Sequence, residues 1–373
     1  MQDTTLGRTG LEASVIGVGT EHMWGQSRQT VVSTLRAAVE RGVTYFDLIY
    51  AMPEYLAHMA EGFHGLRDRV QLTSHLGSTD KDGQYFKTRA LKRGESTFVD
   101  VLQRLGTDHV DVLFLHNFNA LKDWDRAAQG GYLDLACRLP DEGKARCLGI
   151  SGHYHAALTR AVESGLVDLV MLPVNLFNHA MPGRGDLLDL CLRRNVGVVA
   201  MKPYGGGKLL NQRGSLRVPK YQTSGEAFQV RIGREVTPAQ CLSYVLAQRG
   251  VSLALAGVKS EEELVAALAV LEAGEAERDF SDLLAAFGRY VEGQCTYCNH
   301  CLPCPERIDI GQVNRLLDWA ELGLTAEVRA AYDALAVQAS ACTECGACTK
   351  RCPFGVDVVN RMRQAQALFE LAA

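Results

Sequence analysis

No run of apolar residues in this 373-residue chain approaches the roughly 18 that a membrane-spanning helix needs. No basic stretch is interleaved with aromatic residues either, and the formal net charge is −4 with an isoelectric point of about 6.2. Those two absences exclude a membrane protein of the helical kind and give no footing for nucleic acid. The N-terminus, Met1-Gln2-Asp3, lacks the charged region followed by an apolar one that marks a secretory leader, so the expected location is cytoplasmic.

Cysteine is what the chain has in excess. Eight of its 12 cysteines fall in two C-terminal runs, Cys295-x2-Cys298-x2-Cys301-x2-Cys304-Pro305 and Cys342-x2-Cys345-x2-Cys348-x3-Cys352-Pro353. Three thiolates at two-residue intervals let a short loop wrap an iron–sulfur cube, while the cysteine before proline arrives from another direction. This is the ligand count for two [4Fe–4S] clusters. In the two-cluster arrangement the fourth cysteine serves the other cluster, which groups Cys295, Cys298 and Cys301 with Cys352, and Cys342, Cys345 and Cys348 with Cys304. The first run has two residues before its last cysteine where the reference motif has three. Structural zinc favours separated C-x2-C pairs, and disulfides need an oxidising compartment and a small scaffold. The remaining cysteines, Cys137, Cys147, Cys191 and Cys241, are scattered among apolar neighbours and read as buried.

Length and a 47% hydrophobic composition suffice for one barrel-sized domain and a small one. Apolar segments rich in β-branched residues recur at 13–19, 43–48, 70–75, 110–116, 145–151, 168–172, 196–201 and 251–257. Amphipathic helical stretches follow most of them, at 28–41, 89–105, 155–164, 186–195, 238–249 and 260–273. Eight such units predict an α/β fold, a parallel (β/α)8 TIM barrel, with its active site at the C-terminal strand ends. The turn chemistry of Leu6-Gly7-Arg8-Thr9-Gly10-Leu11 predicts a hairpin capping the barrel bottom. From Phe280 the pattern changes to helices between cysteine loops. The expected organisation is a barrel over 1–280 and a helical ferredoxin-like domain with two [4Fe–4S] clusters over 281–373.

The strand ends carry an unusual set: Glu21 and His22, Asp47, His75, His116, Ser151-Gly152-His153, Asn175, Met201-Lys202 and Val258-Lys259-Ser260. A lone histidine is more often structural than catalytic. Four at strand ends of one barrel sit where this fold does its chemistry.

At these residues the chain resembles the aldo/keto reductases. The resemblance is carried by Leu6 to Ser14 (LGRTGLEAS), Tyr45-Phe46-Asp47, Asp111 to His116 (DVLFLH) and Leu148-Gly149-Ile150-Ser151. Met201-Lys202-Pro203 through Gly207-Lys208-Leu209 and the cysteine tail resemble the iron–sulfur branch of that superfamily. The resemblance implies a catalytic tetrad of Asp, Tyr, Lys and His, with tyrosine giving a proton to a carbonyl that receives hydride from NADPH. Asp47 matches the aspartate and His116 the histidine. His75 stands where the family has lysine, and Met52 where it has tyrosine, with Tyr50 and Tyr55 nearby. Replacing lysine by histidine removes a permanent cation and installs a group that titrates near neutrality. His75 and His116 are therefore expected to act as an acid/base pair held by Asp47.

For the cofactor, Lys259 and Ser260 resemble the family segment that holds the 2′-phosphate of NADP, and Gly205 to Lys208 resembles a loop near its pyrophosphate. The glutamine that binds the nicotinamide carboxamide is replaced by Met171, and the ring-stacking aromatic by Met201. NADP(H) thus stays an open cofactor beside the clusters. The expected activity is an iron–sulfur oxidoreductase of aldo/keto reductase type acting on a small polar carbonyl- or hydroxyl-bearing molecule. In it His22, Tyr50, His153, Asn175, Lys202, Lys208, Lys259 and Ser260 bind substrate or cofactor, and a ferredoxin- or flavodoxin-type protein donates electrons. Two other classes remain: a metal-dependent lyase or dehydratase using the mouth histidines, and a non-catalytic electron-transfer partner.

Overall fold

The structure is a computed structural model. It describes residues 1–373 except 180, 182, 211–214, 220–226, 232–234, 287–294, 296–298, 300, 323, 353–354 and 372–373; Cys298 lies outside the described residues. Contacts divide the chain into two compact units. The first comprises Met1–Asp80, Lys87–Leu216 and Val230–Tyr290, and the second Lys81–Phe86, Arg217–Gln229 and Val291–Ala373.

The chain opens with an antiparallel pair, β1 (Asp3–Thr5) and β2 (Glu12–Ser14), with register Asp3↔Ser14 and Thr5↔Glu12. Between them the backbone of Gly7 runs so close to the start of a barrel strand that a Cβ there would lie 2.3 Å from Gly197 N. Only glycine permits that approach. Arg8 N–H donates to Asn195 O at 2.7 Å, and Arg8 Nε pairs with Asp168 Oδ1 at 2.8 Å. Leu6, Leu11 and Ala13 enter the apolar core with Tyr45, Leu169 and Leu253. The hairpin therefore plugs the end of the barrel where the strands begin.

Eight parallel strands close the barrel. They are β3 (Ile16–Gly19), β4 (Tyr45–Asp47), β5 (Gln71–Leu76), β8 (Val110–Leu115), β9 (Ala145–Ser151), β10 (Leu169–Pro173), β11 (Gly197–Met201) and β14 (Leu253–Gly257), in that spatial order, with β14 returning to β3. All eight apolar segments became these strands. The first of them is split, its Ala13 and Ser14 belonging to β2. Parallel strands covered by helices are buried on both faces, which is why β8 and β10 are buried at every position. Helices surround the barrel: α1 (Arg28–Glu40), α2 (Pro53–Phe63), α3 (Leu91–Leu105), α4 (Leu121–Gln129), α5 (Tyr132–Asp141), α6 (His155–Ser164), α7 (Arg184–Arg193), α8 (Pro238–Leu246) and α9 (Glu261–Leu268).

Two hairpins were not anticipated. Strands β6 (Ser78–Lys81) and β7 (Gln84–Lys87) follow β5 directly, and β12 (Ser215–Pro219) pairs with β13 (Ala227–Arg231). The turn of the first is Asp82-Gly83 with φ of 56° and 76°. Two left-handed residues make a type I′ turn, for which Asp-Gly is a standard pair, so the signal was present in the sequence.

The last part of the chain is helical: α10 (Glu275–Arg278), α11 (Ser281–Ala286), α12 (Ile310–Leu322), α13 (Ala326–Asp333), α14 (Ala347–Arg351) and α15 (Val358–Gln366). Among the described residues no helix is long and apolar enough to cross a membrane.

Candidate active site and cysteine loops

Asp47 ends β4, His75 lies near the end of β5, and His116 follows β8, at exposures of 5%, 5% and 1%. Strand pairing sets Asp47 beside Thr73, and His75 beside Phe114. Thr73 and His75 are two residues apart on one strand and share a face. Both reach the same oxygen, Thr73 Oγ1 donating to Asp47 Oδ1 at 2.6 Å and His75 Nε2 lying 2.8 Å from it. The other nitrogen of that ring, His75 Nδ1, is 3.1 Å from His116 Nδ1. The two imidazoles meet edge to face, with centroids 5.0 Å apart and an interplanar angle of 89°.

With a neutral His75, this line of contacts has one arrangement of protons. A carboxylate accepts only, so His75 Nε2 carries a hydrogen and donates to Asp47. With His75 neutral, its Nδ1 holds a lone pair and accepts from His116 Nδ1–H, which makes Nε2 the basic nitrogen of His116. The result is a hydrogen-bonded Asp–His–His line, with the contacts of the Asp–His pair of a catalytic triad and one imidazole added.

The main chain around this line is secured. Thr20 Oγ1 donates to Asp47 O at 2.7 Å. Arg89 Nη2 donates to His116 O and to Asn117 O, the latter at 3.2 Å, across a left-handed Asn117 with φ 56°. Thr73 was legible as the neighbour of His75 on one strand face; Arg89 carries no local signal and was missed.

The tyrosine candidates are committed elsewhere. Tyr55 Oη is hydrogen-bonded to Thr20 Oγ1, and burial pushes its pKa far up, so it is held as a phenol. Tyr50 is buried with its ring edge-on to Trp24 and Tyr55 at 5.1 and 5.6 Å. Met52 is buried at the start of α2. Met171 is part of the apolar core cluster and Met201 packs against it.

On the opposite side, Lys202 sits just past β11 with a left-handed φ of 57°, and its Nζ pairs with Glu21 Oε2 at 3.2 Å. Asn175 supports that turn, Nδ2 donating to Lys202 O at 2.9 Å while Oδ1 accepts from Asn178 N–H. Asn175 is therefore a scaffold for Lys202. His153 is buried, its N–H donating to Asn119 Oδ1 at 2.7 Å, and desolvation followed by Lys202 and Lys87 drives its pKa well down. It is neutral at physiological pH. His22 lies against Gly257. Lys208 follows three consecutive left-handed glycines, Gly205 to Gly207. Lys259 N–H donates to Glu263 Oε2 at 3.0 Å and its Nζ lies 3.4 Å from Glu263 Oε1. Ser260 caps α9 by accepting from Glu263 N–H at 3.4 Å. The first turn of α9 carries Glu261, Glu262 and Glu263, which already neutralise the helix dipole.

His155, at the start of α6, is pushed down to about 4 by burial and then by Arg184. From pH 6.5 to about 4 the unfolded chain binds a proton there that the folded chain does not. Its stabilising contribution is complete above about pH 6.5 and is lost as pH falls through that window. The wild type is expected to lose more melting temperature between pH 7 and pH 5 than His155→Gln does; equal losses would assign the acid sensitivity elsewhere.

Among the described residues no group of three His, Cys, Asp or Glu side chains is arranged to hold a single metal ion. Both ring nitrogens of His75 are engaged, by Asp47 and His116.

The cysteine loops are built as a repeat. Asn299 and Gly346, each one residue after the second cysteine, are left-handed with φ of 53° and 69°. So are Arg307 and Gly355, each three residues after the Cys-Pro cysteine, with φ of 59° and 65°. Asp309 and Asp357 then lead into α12 and α15, accepting from Gln312 N–H and Asn360 N–H at 3.1 Å each. Glu344 N–H points at Cys342 Sγ, 3.4 Å away. Arg351 of the second run donates to Cys301 O and Pro303 O of the first. The seven described cysteines of the runs form no disulfides. An all-thiolate donor set, with an amide aimed at sulfur and two interlocked loops of one design, fits a pair of iron–sulfur cubes, whose corner irons take thiolates from wider directions than one ion does.

The sequence profile of the aldo/keto reductase family matches residues 15–286, and that of a 4Fe-4S dicluster domain matches residues 294–357. The chain is 28% identical over 190 residues to the aldo-keto reductase YhdN of Bacillus subtilis (strain 168), covering 48% of this chain and 56% of that protein. It is 25% identical over 226 residues to the L-glyceraldehyde 3-phosphate reductase of Escherichia coli O157:H7, covering 56% and 63%. The chain thus spans less than two thirds of each of these relatives. Among solved structures, the fold is similar to that of the aldo-keto reductase AKR11C1 from Bacillus halodurans in its holo form, with a TM-score of 0.64 at 19% identity, covering 78% of this chain and 98% of that one.

Proposed function

The chain belongs to the aldo/keto reductase family, is an oxidoreductase of that type carrying a 4Fe-4S domain, and on that premise we propose a two-histidine variant of the family chemistry. The substrate is a small polar molecule bearing a carbonyl or hydroxyl group, and two [4Fe–4S] clusters, held by the two cysteine runs, would supply the electrons. The observation that carries the reading is the hydrogen-bonded line Asp47–His75–His116 at the strand ends.

In the oxidising direction His116 Nε2 takes the hydroxyl proton. The charge that develops on His116 is shared through Nδ1–H with His75, whose Nε2–H is held by Asp47. In the reducing direction the same nitrogen returns a proton to the carbonyl oxygen. Converting a carbonyl to an alcohol takes two electrons and two protons: His116 Nε2 gives the proton on oxygen, the proton on carbon comes from solvent, and the clusters, when bound, would supply the electrons singly. Cys295, Cys298, Cys301 and Cys304 with Cys342, Cys345, Cys348 and Cys352 would hold them. Polar groups at the strand ends, Glu21, Lys202 and neutral His153, suit a hydroxylated substrate, and a relative named for L-glyceraldehyde 3-phosphate supports that class. A ferredoxin- or flavodoxin-type donor and a cytoplasmic setting complete the proposal.

The test is iron and acid-labile sulfide analysis of anaerobically purified protein, then titration with NADPH while cluster absorbance is followed. Eight irons and eight sulfides support the reading; zinc without sulfide would overturn it.

NADPH binding is expected to be weak, because Lys259 is paired with Glu263 and three carboxylates crowd the start of α9. A charge-assisted contact is worth about 1.5–3 kcal/mol, so Lys259→Ala should weaken binding by roughly ten- to a hundredfold, whereas Glu263→Gln should tighten it. Calorimetry decides, and no heat of binding in either the parent or Glu263→Gln would remove NADP(H) from the scheme.

A further inference from the structure

The two cysteine runs differ by one residue, and the main chain of their last cysteines is satisfied in different ways. In the second run, three residues between Cys348 and Cys352 allow the helical turn α14, and Cys352 N–H donates back to Cys348 O at 2.9 Å. In the first run only Leu302 and Pro303 separate Cys301 from Cys304. No such turn forms, and Cys304 N–H needs a partner from elsewhere.

That partner is Gln84, at the start of β7. Cys304 N–H donates to Gln84 Oε1 at 3.2 Å, and Gln84 Nε2 donates to Cys304 O at 3.2 Å. One carboxamide thus engages both main-chain polar groups of the cysteine, as a neighbouring strand would. Cys304 O also accepts from Arg307 N–H at 3.0 Å. Arg307 Nη2 in turn donates to Asp82 O at 3.0 Å, in the Asp-Gly turn of the same hairpin. The tip of that hairpin, Lys81–Phe86, groups with Val291–Ala373 in one compact unit.

We infer that Gln84 is a positioning residue for the cluster ligand Cys304, doing for the shorter run what a helical turn does for the longer one. This rests on the reading that the cysteine runs hold clusters. A thiolate directs its sulfur only as well as its main chain is held, and partners that orient metal ligands typically matter ten- to a hundredfold in metal retention. Gln84→Ala leaves Cys304 N–H without this acceptor and Cys304 O with Arg307 N–H alone. Gln84→Glu keeps the acceptor for Cys304 N–H and loses the donor to Cys304 O, so it should retain part of the effect.

The experiment uses the full chain, purified anaerobically with its iron and sulfide, and follows iron transfer to a ferrous chelator alongside the electron paramagnetic resonance of the reduced protein. In Gln84→Ala, half of the iron is expected to leave about ten- to a hundredfold faster than in the wild type, with the other half unchanged and one of two reduced-cluster signals altered. Gln84→Glu should fall between. Arg307→Ala, which releases the hairpin turn but not Cys304, should release iron at close to the wild-type rate; acceleration equal to that of Gln84→Ala would mean that hairpin docking, not the clamp, is responsible. Wild-type protein without iron and sulfide overturns the cluster reading and the clamp together. Iron-loaded wild type with the same release kinetics as Gln84→Ala overturns the clamp alone.

Discussion

His116→Ala and His75→Ala are each expected to lower turnover by about 10²–10⁴, the usual worth of a positioned acid/base group, while the absorbance of the clusters stays unchanged. The two losses should not add. Removing His116 takes away the nitrogen that meets the substrate, and removing His75 leaves His116 Nδ1 without its acceptor and the Asp47 carboxylate with Thr73 as its remaining partner at Oδ1. Members of one hydrogen-bonded unit lose function together, so the double variant should resemble the weaker single variant within about tenfold. The measurement is reduction of small hydroxylated aldehydes driven by a reduced viologen dye. Full activity in both alanine variants would take the chemistry away from this line of residues.

The departure from the family tetrad gives the same idea a second check. His75→Lys alone is expected not to create NADPH-dependent carbonyl reduction, because Met52 still stands where the tyrosine belongs. His75→Lys with Met52→Tyr restores both residue types. Activity in the single variant would show that the missing tyrosine is not what separates this barrel from its relatives.

The second large effect concerns the clusters. Cys345 is exposed, so Cys345→Ala removes a thiolate without opening a cavity in a core. Iron and sulfide are expected to fall by half and one reduced-cluster signal to disappear, while the far-ultraviolet signature of the barrel persists, since the barrel has a core of its own. Cys298→Ala should remove the other cluster. Retention of full iron content in both variants would mean that the runs do not ligate it. The crossed pairing has its own readout: Cys304→Ala should resemble Cys345→Ala, and Cys352→Ala should resemble Cys298→Ala.

Much of this was legible before any coordinates. The eight strand segments stood out because parallel barrel strands are buried on both faces and read as continuous apolar runs, as in Val110–Leu115. The hairpin β6–β7 went unseen although Asp82-Gly83 announces its turn, because its strands are short and directly continue β5. The duplication of the cysteine loops was also in plain view, in Cys-Pro-x-x-Ile-Asp-Ile at 304–310 and Cys-Pro-x-x-Val-Asp-Val at 352–358.

What the amino-acid order determines by itself is local: the ligand count of the two runs, the alternation of strand and helix, and the residue type that stands at each strand end. Each depends on neighbours a few positions away, through period, turn chemistry and spacing. The tertiary structure decided which nitrogens meet. His75 and His116 are 41 residues apart in the chain and touch because β5 and β8 are neighbours in register, with Leu76 beside Leu115. Lys202 meets Glu21 from a left-handed position just past β11, in a turn held by Asn175. Gln84 and Cys304 are 220 residues apart and share two hydrogen bonds because a missing helical turn left an amide without a partner. Contacts of that range depend on strand register and on which polar groups the local fold leaves unsatisfied, and neither quantity is written in any short window of sequence.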